Sequence, residues 1–398
     1  MKKLIMLVLV AVIIGGCGVD NQSQQRVEAY QRYHQARAQA ITSVGSEHLK
    51  VGDLDKAGSS AGEALALDKD SVSARILLGK VLLEKGRYAE AAEQLRQAET
   101  SAPENAEIPY LLGVALEKRG EYAEALNAYQ KARALDPVNE AYVTASAEAL
   151  TAWGKPQLAL ELLETRLERT EGNASMLALA GELAMLVAEP VKAARFYQHC
   201  LDANAADWAA REGLAKAYFF AGQYVESLET LKQLAAQPAY CDKASWVYIV
   251  IGDCHMALDR PRDACLAYET ASRIEPADVP VWVALAKARM AADDAKRAAS
   301  AARQALALEQ DCADAKLVLA WAMLSQGNSG DAAKILAEEA KKDPEDATLL
   351  CMLGRCYASM GRKDRAVSCY VQALRCDPGH RLAKTLLATT GLEGDRPR

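Results

Sequence analysis

The chain has 398 residues, with 47 Lys and Arg against 53 Asp and Glu, and a formal net charge of −6. A mildly acidic balance excludes a general electrostatic pull towards nucleic acid or anionic lipid. The length suits one extended array or two compact domains, and an Ala-rich chain with few Pro and only three Phe favours helix throughout.

At the amino-terminal end, Lys2 and Lys3 precede an unbroken apolar run from Leu4 to Ile14, followed by Gly15-Gly16-Cys17. The run is shorter than the roughly 20 residues of a stable bilayer span. Residues 1–16 therefore read as a cleaved export signal. The small residues before Cys17 resemble the bacterial lipobox. That resemblance implies a diacylglycerol on Cys17, cleavage after Gly16 and acylation of the new amino terminus. Buried acyl chains contribute about 0.8 kcal/mol per CH₂, and more than one chain anchors stably. The competing reading is an ordinary signal peptide whose Cys goes unused. Gly18, where Asp would favour inner-membrane retention, leans towards an outer-membrane lipoprotein facing the periplasm. Residues 17–25 are expected to form the lipidated Cys and a short tether, with a helix starting near Arg26.

From here the chain repeats itself. Ala57, Ala91, Ala125, Ala159, Ala193, Ser227, Ala264, Ala298, Ala332 and Ala366 recur at a step of 34 residues, broken once by a step of 37. A period of 34 is the mark of a helix–turn–helix repeat array. Taking this column as position 20, position 8 is Gly or Ala in every unit, including Gly113, Gly252 and Gly354. Small residues at both positions let the two helices of a unit cross closely; overpacking such a contact costs about 1–3 kcal/mol. Position 15 is Gly in seven units, from Gly52 to Gly361, as suits a left-handed helix cap. Position 32 is Pro in five, Pro103, Pro137, Pro276, Pro344 and Pro378, and Pro cannot continue a helix.

These columns resemble the tetratricopeptide repeat. The fullest match is Leu353-Gly354, Tyr357, Ala366, Tyr370, Ala373 and Pro378, followed by Leu112-Gly113, Leu116, Ala125, Tyr129, Ala132 and Pro137. Units one, four, eight and nine lack most aromatics, and Asp259 and Asp293 stand where Gly is usual. The resemblance implies an all-α, right-handed superhelical solenoid of antiparallel helix pairs over residues 26–380. Its repeats fall near 38–71, 72–105, 106–139, 140–173, 174–207, 208–241, 245–278, 279–312, 313–346 and 347–380. A capping helix is expected at 381–392, because each repeat buries its apolar face only against neighbours. Residues 393–398 read as a tail. Three extra residues within 238–244 lengthen one loop; they read as a tolerated insertion or as a hinge.

In this family ligands usually lie in a concave groove lined by first helices. Groove positions are small or charged in repeats two to five, among them Glu84, Glu107, Glu117 and Glu148. In repeats six to nine they turn apolar: Phe219, Phe220, Trp246, Ile249, Met256, Val283, Met290, Leu317 and Trp321. Aromatic anchors on such a surface suit a peptide or a partner helix; packing between neighbouring repeats is the competing reading. Lys216, Asp253, Lys287 and Arg355 stand nearby as polar contacts or as a solvated face. The family's Lys and Asn clamp for a C-terminal carboxylate is absent from these positions.

Chemistry is not indicated. There is no HExxH, no CxxC and no phosphate-binding Gly loop, and Cys254-His255 with Cys265 fits no standard metal-ligand set, so no enzyme, metal or cofactor is expected. Beyond Cys17, nine cysteines remain, all at or after Cys200. An odd number cannot pair completely within one chain, although the periplasm is oxidising. Cys254 with Cys265, and Cys356 with Cys369, are candidates to clip two helices of one repeat, a cross-link contributing about 3 kcal/mol for a loop of roughly 15 residues.

The sequence thus leads to a membrane-anchored scaffold of the bacterial envelope that holds a protein partner through its groove. Pilus or secretin assembly, polysaccharide export and recruitment of cell-wall enzymes all remain open. The alternative is a periplasmic carrier of an apolar or lipidic ligand in the same groove.

Overall fold

The computed structural model describes the backbone of residues 2–168, 173–240 and 243–390, with side chains from Gln24 onward within those ranges. All regular elements among the described residues are helices. They are α1 (Lys2–Lys50), α2 (Leu54–Leu67), α3 (Val72–Glu84), α4 (Tyr88–Ser101), α5 (Glu107–Lys118), α6 (Tyr122–Leu135), α7 (Glu140–Ala152), α8 (Pro156–Leu167) and α9 (Ala174–Leu186). They continue with α10 (Pro190–Ala203), α11 (Trp208–Phe220), α12 (Tyr224–Ala235), α13 (Ser245–Ala257), α14 (Pro261–Ile274), α15 (Val279–Ala291), α16 (Ala295–Leu308), α17 (Ala313–Ser325), α18 (Ser329–Lys342), α19 (Ala347–Ser359), α20 (Lys363–Cys376) and α21 (Arg381–Thr389). The architecture is an all-α repeat array. The chain divides into two compact units, one ending at Glu189 and one starting at Pro190. The insertion at 238–244 lies inside the second unit rather than at that division.

Local sequence explains where the helices start. Ser71, Asn139, Asn173, Asp207, Asp278 and Asp346 each accept a backbone N–H from the first turn of the helix they precede, which satisfies donors that have no intrahelical partner. Pro156, Pro190 and Pro261 open second helices, where the missing N–H costs nothing.

The ends are equally regular. Gly52, Gly86, Gly120, Gly154, Gly222, Gly327 and Gly361 all have φ between 71° and 83°. The corresponding positions in the other three units, Ala188, Asp259 and Asp293, adopt φ of 61°, 56° and 63° without glycine. Each residue is followed by one whose N–H bonds back five residues, as in Arg87 to Leu82 and Glu189 to Ala184, both at 2.8 Å. That bond defines a Schellman cap.

The small-residue column is fully buried, from Ala57 through Ala366, all at 0% exposure. In three repeats its partner column is closed by a ring, and in the second repeat by Leu95 over Gly79. A Cβ added at Gly113 would stand 2.5 Å from Tyr129, at Gly252 2.5 Å from Tyr268, and at Gly354 2.4 Å from Tyr370. These glycines make room for a tyrosine of the second helix as well as for close helix crossing. Tyr197 departs from the pattern: its ring lies on Gly213 of the following helix, 2.5 Å from where a Cβ would be.

Core residues form successive clusters. Ile76, Leu95, Ile108, Leu112, Leu116 and Tyr129 belong to one that runs through α3 to α7. Leu285, Met290, Val318 and Leu319 belong to another in the second unit. At the carboxyl end α21 buries Ala383 against Leu350, Cys351, Tyr370 and Ala373. The expected cap over 381–392 is thus a helix over Arg381–Thr389, and the expected tail at 393–398 lies outside the described residues. At the other end α1 is continuous through 17–25, where a tether was expected; the segment lacks Pro, and its Gln residues tolerate helix well. The side chains of the export signal and of Cys17 lie outside the described residues. None of the described helices is long and apolar enough to cross a membrane.

Candidate functional site

The apolar stripe expected to meet a partner lies on α11, α13, α15 and α17, all within the second unit. α11 ends on Phe219 and Phe220, whose rings meet edge to face at 5.4 Å, and Phe219 also meets Tyr224 at 5.8 Å. Phe219 is half-buried against Leu231, Leu234 and Val247. Phe220 stands 65% exposed immediately before the turn at Gly222. It is the one large side chain of the stripe that solvent covers freely.

Trp246, at the start of α13, is half-buried and carries the Lys216 ammonium 4.6 Å above its ring. Lys216 also donates to Glu212 at 2.6 Å. Tyr240 stands edge-on to Trp246 at 6.5 Å, its hydroxyl pushed above the usual phenol range first by burial and then by Glu212. Tyr240 belongs to the lengthened loop at 238–244. The sequence reading treated that loop as spacing and missed its contact with the stripe; an aromatic residue inside the insertion was the available signal.

Ile249, Met256 and Trp321 are partly buried against the Leu285 and Met290 cluster, and Leu317 with Trp321 against Leu336, Leu353 and Cys356. Val283 and Met290 are 6% and 8% exposed. α15 packs directly on α17; Val283 shares a buried cluster with Ala305 and Ala315, and Met290 one with Leu285 and Val318.

The nearby polar groups are mostly engaged. The Tyr268 hydroxyl donates to Asp253 at 2.5 Å, and burial raises the Asp253 carboxyl above the usual range. Lys287 pairs with Asp314 at 2.7 Å. Arg355 reaches the Met352 sulfur at 3.8 Å. His255 holds a buried Nδ1 without a hydrogen-bond partner, and burial lowers its pKa.

The eight described cysteines are free thiols, so neither Cys254–Cys265 nor Cys356–Cys369 is joined. Cys254 faces Leu228, Leu231 and Val247, whereas Cys265 packs on the Leu285 cluster; the two side chains serve different layers. Cys356 and Cys369 share a cluster and sit there as small hydrophobes, burial pushing the Cys356 thiol up to about 11. Cys241 lies outside the described residues. Among the described residues no group of three or more His, Cys, Asp or Glu is gathered in a way that would hold a metal.

Stacked helix pairs with close crossings, repeated caps and a layered core define an all-α repeat protein. A tetratricopeptide repeat family model matches residues 45–106, 78–140 and 283–347, and a second model of the same description matches 324–389. The chain carries tetratricopeptide repeats. No curated protein matches it in sequence. Among solved structures it resembles a tetratricopeptide repeat protein from Parabacteroides merdae at 21% identity and a TM-score of 0.42, covering 64% of this chain and 99% of that one. A repeat-containing protein from Cytophaga hutchinsonii, in its C-terminal part, is 15% identical with a TM-score of 0.43, covering 70% and 99%. The Cut9–Hcn1 hetero-tetramer of the APC/C is 12% identical with a TM-score of 0.43, covering 92% and 98%. These are likenesses of fold.

Proposed function

We propose that this chain is a lipid-anchored interaction scaffold of the bacterial envelope, built of about ten tetratricopeptide repeats, which holds a protein partner on the first-helix face of α11 to α17. The anchor would be Cys17, with the repeats facing the periplasm from the outer membrane. Pilus or secretin assembly, polysaccharide export and recruitment of cell-wall enzymes are the settings such a scaffold suits. The observation that carries the reading is Phe220, exposed beside Phe219, which packs on the same cluster as a Trp246 that is only half covered. Exposed aromatic side chains supported from behind by packed ones are the usual anchors of a protein interface.

The structure also selects the variant. Trp246 and Trp321 support the core, so their removal would confuse folding with binding. Phe220→Asp leaves the core untouched. From detergent-solubilised envelopes, the parent chain is expected to co-purify a partner that Phe220→Asp loses at an unchanged melting temperature. Cys17→Ala is expected to release the protein from membranes with the partner still bound. A partner retained by Phe220→Asp would refute the face, and membrane retention of Cys17→Ala would refute the anchor.

A further inference from the structure

The last helix pair and its cap differ in charge from the rest of the chain. Residues 347–390 carry seven Lys and Arg, namely Arg355, Arg362, Lys363, Arg365, Arg375, Arg381 and Lys384, against only Asp364 and Asp377. All but Arg355 are exposed. Among the described residues none of these seven cations takes part in a salt bridge; Asp377 is used by the Gly379 N–H at 2.8 Å, and Arg365 rests 5.8 Å from the Tyr357 ring. Six exposed like charges on two adjacent helices repel each other, and an anionic partner relieves that repulsion.

The chain holds a surface of the opposite sign. Residues 84–168 carry fifteen Asp and Glu against nine Lys and Arg. On this stretch Glu84, Glu117 and Glu148 have no ion pair, and Glu84 and Glu148 are exposed. Glu117 accepts only the Tyr129 hydroxyl, at 2.8 Å. Burial, and then the neighbouring Glu117, raise the Glu148 carboxyl, as expected of two carboxylates that lack a shared cation. Tyr110, whose hydroxyl feels the charges of Glu148 and Glu117, stands 6.0 Å from Tyr129 and 5.0 Å from Tyr142 and lines an open cavity of about 810 Å³ with Glu84, Tyr88 and Val114. Three lysines line that cavity: Lys50 pairs with Glu47 at 2.8 Å and Lys80 with Glu107 at 2.6 Å, while Lys118 offsets the burial of Glu148 only in part. Carboxylates beside a tyrosine face are well suited to guanidinium and ammonium groups.

We propose that the protein associates with a second copy of itself, the basic α20 and α21 of one copy seated on the acidic, tyrosine-lined face of α3, α5 and α7 of the next. The two surfaces differ, so the contact is heterologous. It builds chains of copies, or rings where the rotation closes, rather than a two-fold dimer. The reading needs no other partner and is independent of the α11 to α17 face.

Sedimentation velocity of the purified full chain in one detergent buffer tests it. At about 50 mM NaCl, mass is expected to rise with concentration beyond the dimer; at about 500 mM the association is expected to weaken at least 10-fold, as exposed charges become screened. The combined variant Arg362→Glu/Lys363→Glu/Arg365→Glu should sediment as a monomer, and so should Glu84→Lys/Glu148→Lys. All five side chains are exposed, so melting curves should match the parent. Mixing the two variants should restore association, because each then offers the surface the other lacks. A parent that stays monomeric at low salt, association indifferent to salt, association surviving either reversal, or no recovery on mixing would each overturn the proposal.

Discussion

A left-handed backbone at the end of a first helix costs a side chain dearly, and three residues of this chain accept that cost. The conformation is worth about 1–2 kcal/mol less to an L-residue than right-handed helix. Asp259 and Asp293 soften it, since Asp visits this region several-fold more than most residues. Ala188, at φ 61°, has no such help. Ala188→Gly is therefore expected to raise stability by about 0.5–1 kcal/mol, the relief of strain exceeding the entropy a glycine adds to the unfolded chain. Equilibrium urea unfolding checks it: a lower midpoint would mean that the Ala188 methyl contributes more than its backbone costs. The seven glycine caps were legible in the sequence because only Gly is common there. Ala188 was not, since an alanine in an alanine-rich chain carries no mark of an unusual φ. The tyrosines over Gly113, Gly252 and Gly354 were half legible: the small residue implied a close approach but did not say what approaches.

Between helices, the pair α17–α18 is joined by charge as well as by packing. Lys316 bridges Glu339 at 2.9 Å and Asp311 at 3.1 Å, and Lys342 reaches the same two carboxylates at 3.2 and 3.1 Å. The Glu339 side chain is 8% exposed and that of Lys316 18%, so solvent screens this pair less than the surface pairs elsewhere. The hydrogen bond from Lys316 holds the Glu339 carboxyl below its ordinary value of 4.5. A carboxyl that ionises more readily folded than unfolded stabilises the fold above its unfolded pKa. That contribution fades as pH falls below 4.5 and through the folded value. Glu339→Gln is expected to cost about 1.5–3 kcal/mol at neutral pH, the range for a hydrogen bond to a charged group, and to lose less stability than the parent between pH 6 and the acid side of that window. Melting curves across the range decide it; parallel acid profiles would remove Glu339 from the account. The same scale shows why the apolar stripe was only partly readable. Repeat positions say which side chains point towards first helices, and the nine residues do lie on α11 to α17. They do not say how closely α15 approaches α17, and that approach turned Val283 and Met290 into core.

Across the whole molecule stability is built from neighbour contacts, and the two ends of the array are unlike its middle. The period of 34 made the order of helices legible at once. The division at Glu189 and Pro190 was not, because it falls within a unit of unbroken phase, while the visible insertion at 238–244 is absorbed through Tyr240 against Trp246. In such arrays each helix pair depends on the pair beside it and little on remote ones. α21 is the final neighbour. It shields Leu350, Cys351 and Tyr370 through Ala383, with Leu386 and Leu387 alongside. A chain ending at Gly379 would return that apolar surface to water, at a cost of about 3 kcal/mol for a few partly buried side chains. The loss should stay local. Hydrogen exchange is expected to show α19 and α20 losing protection while α3 to α6 keep theirs. Protection lost evenly along the chain would mean that the array unfolds as one cooperative body, and protection unchanged in α19 and α20 would mean that the last pair does not need its cap.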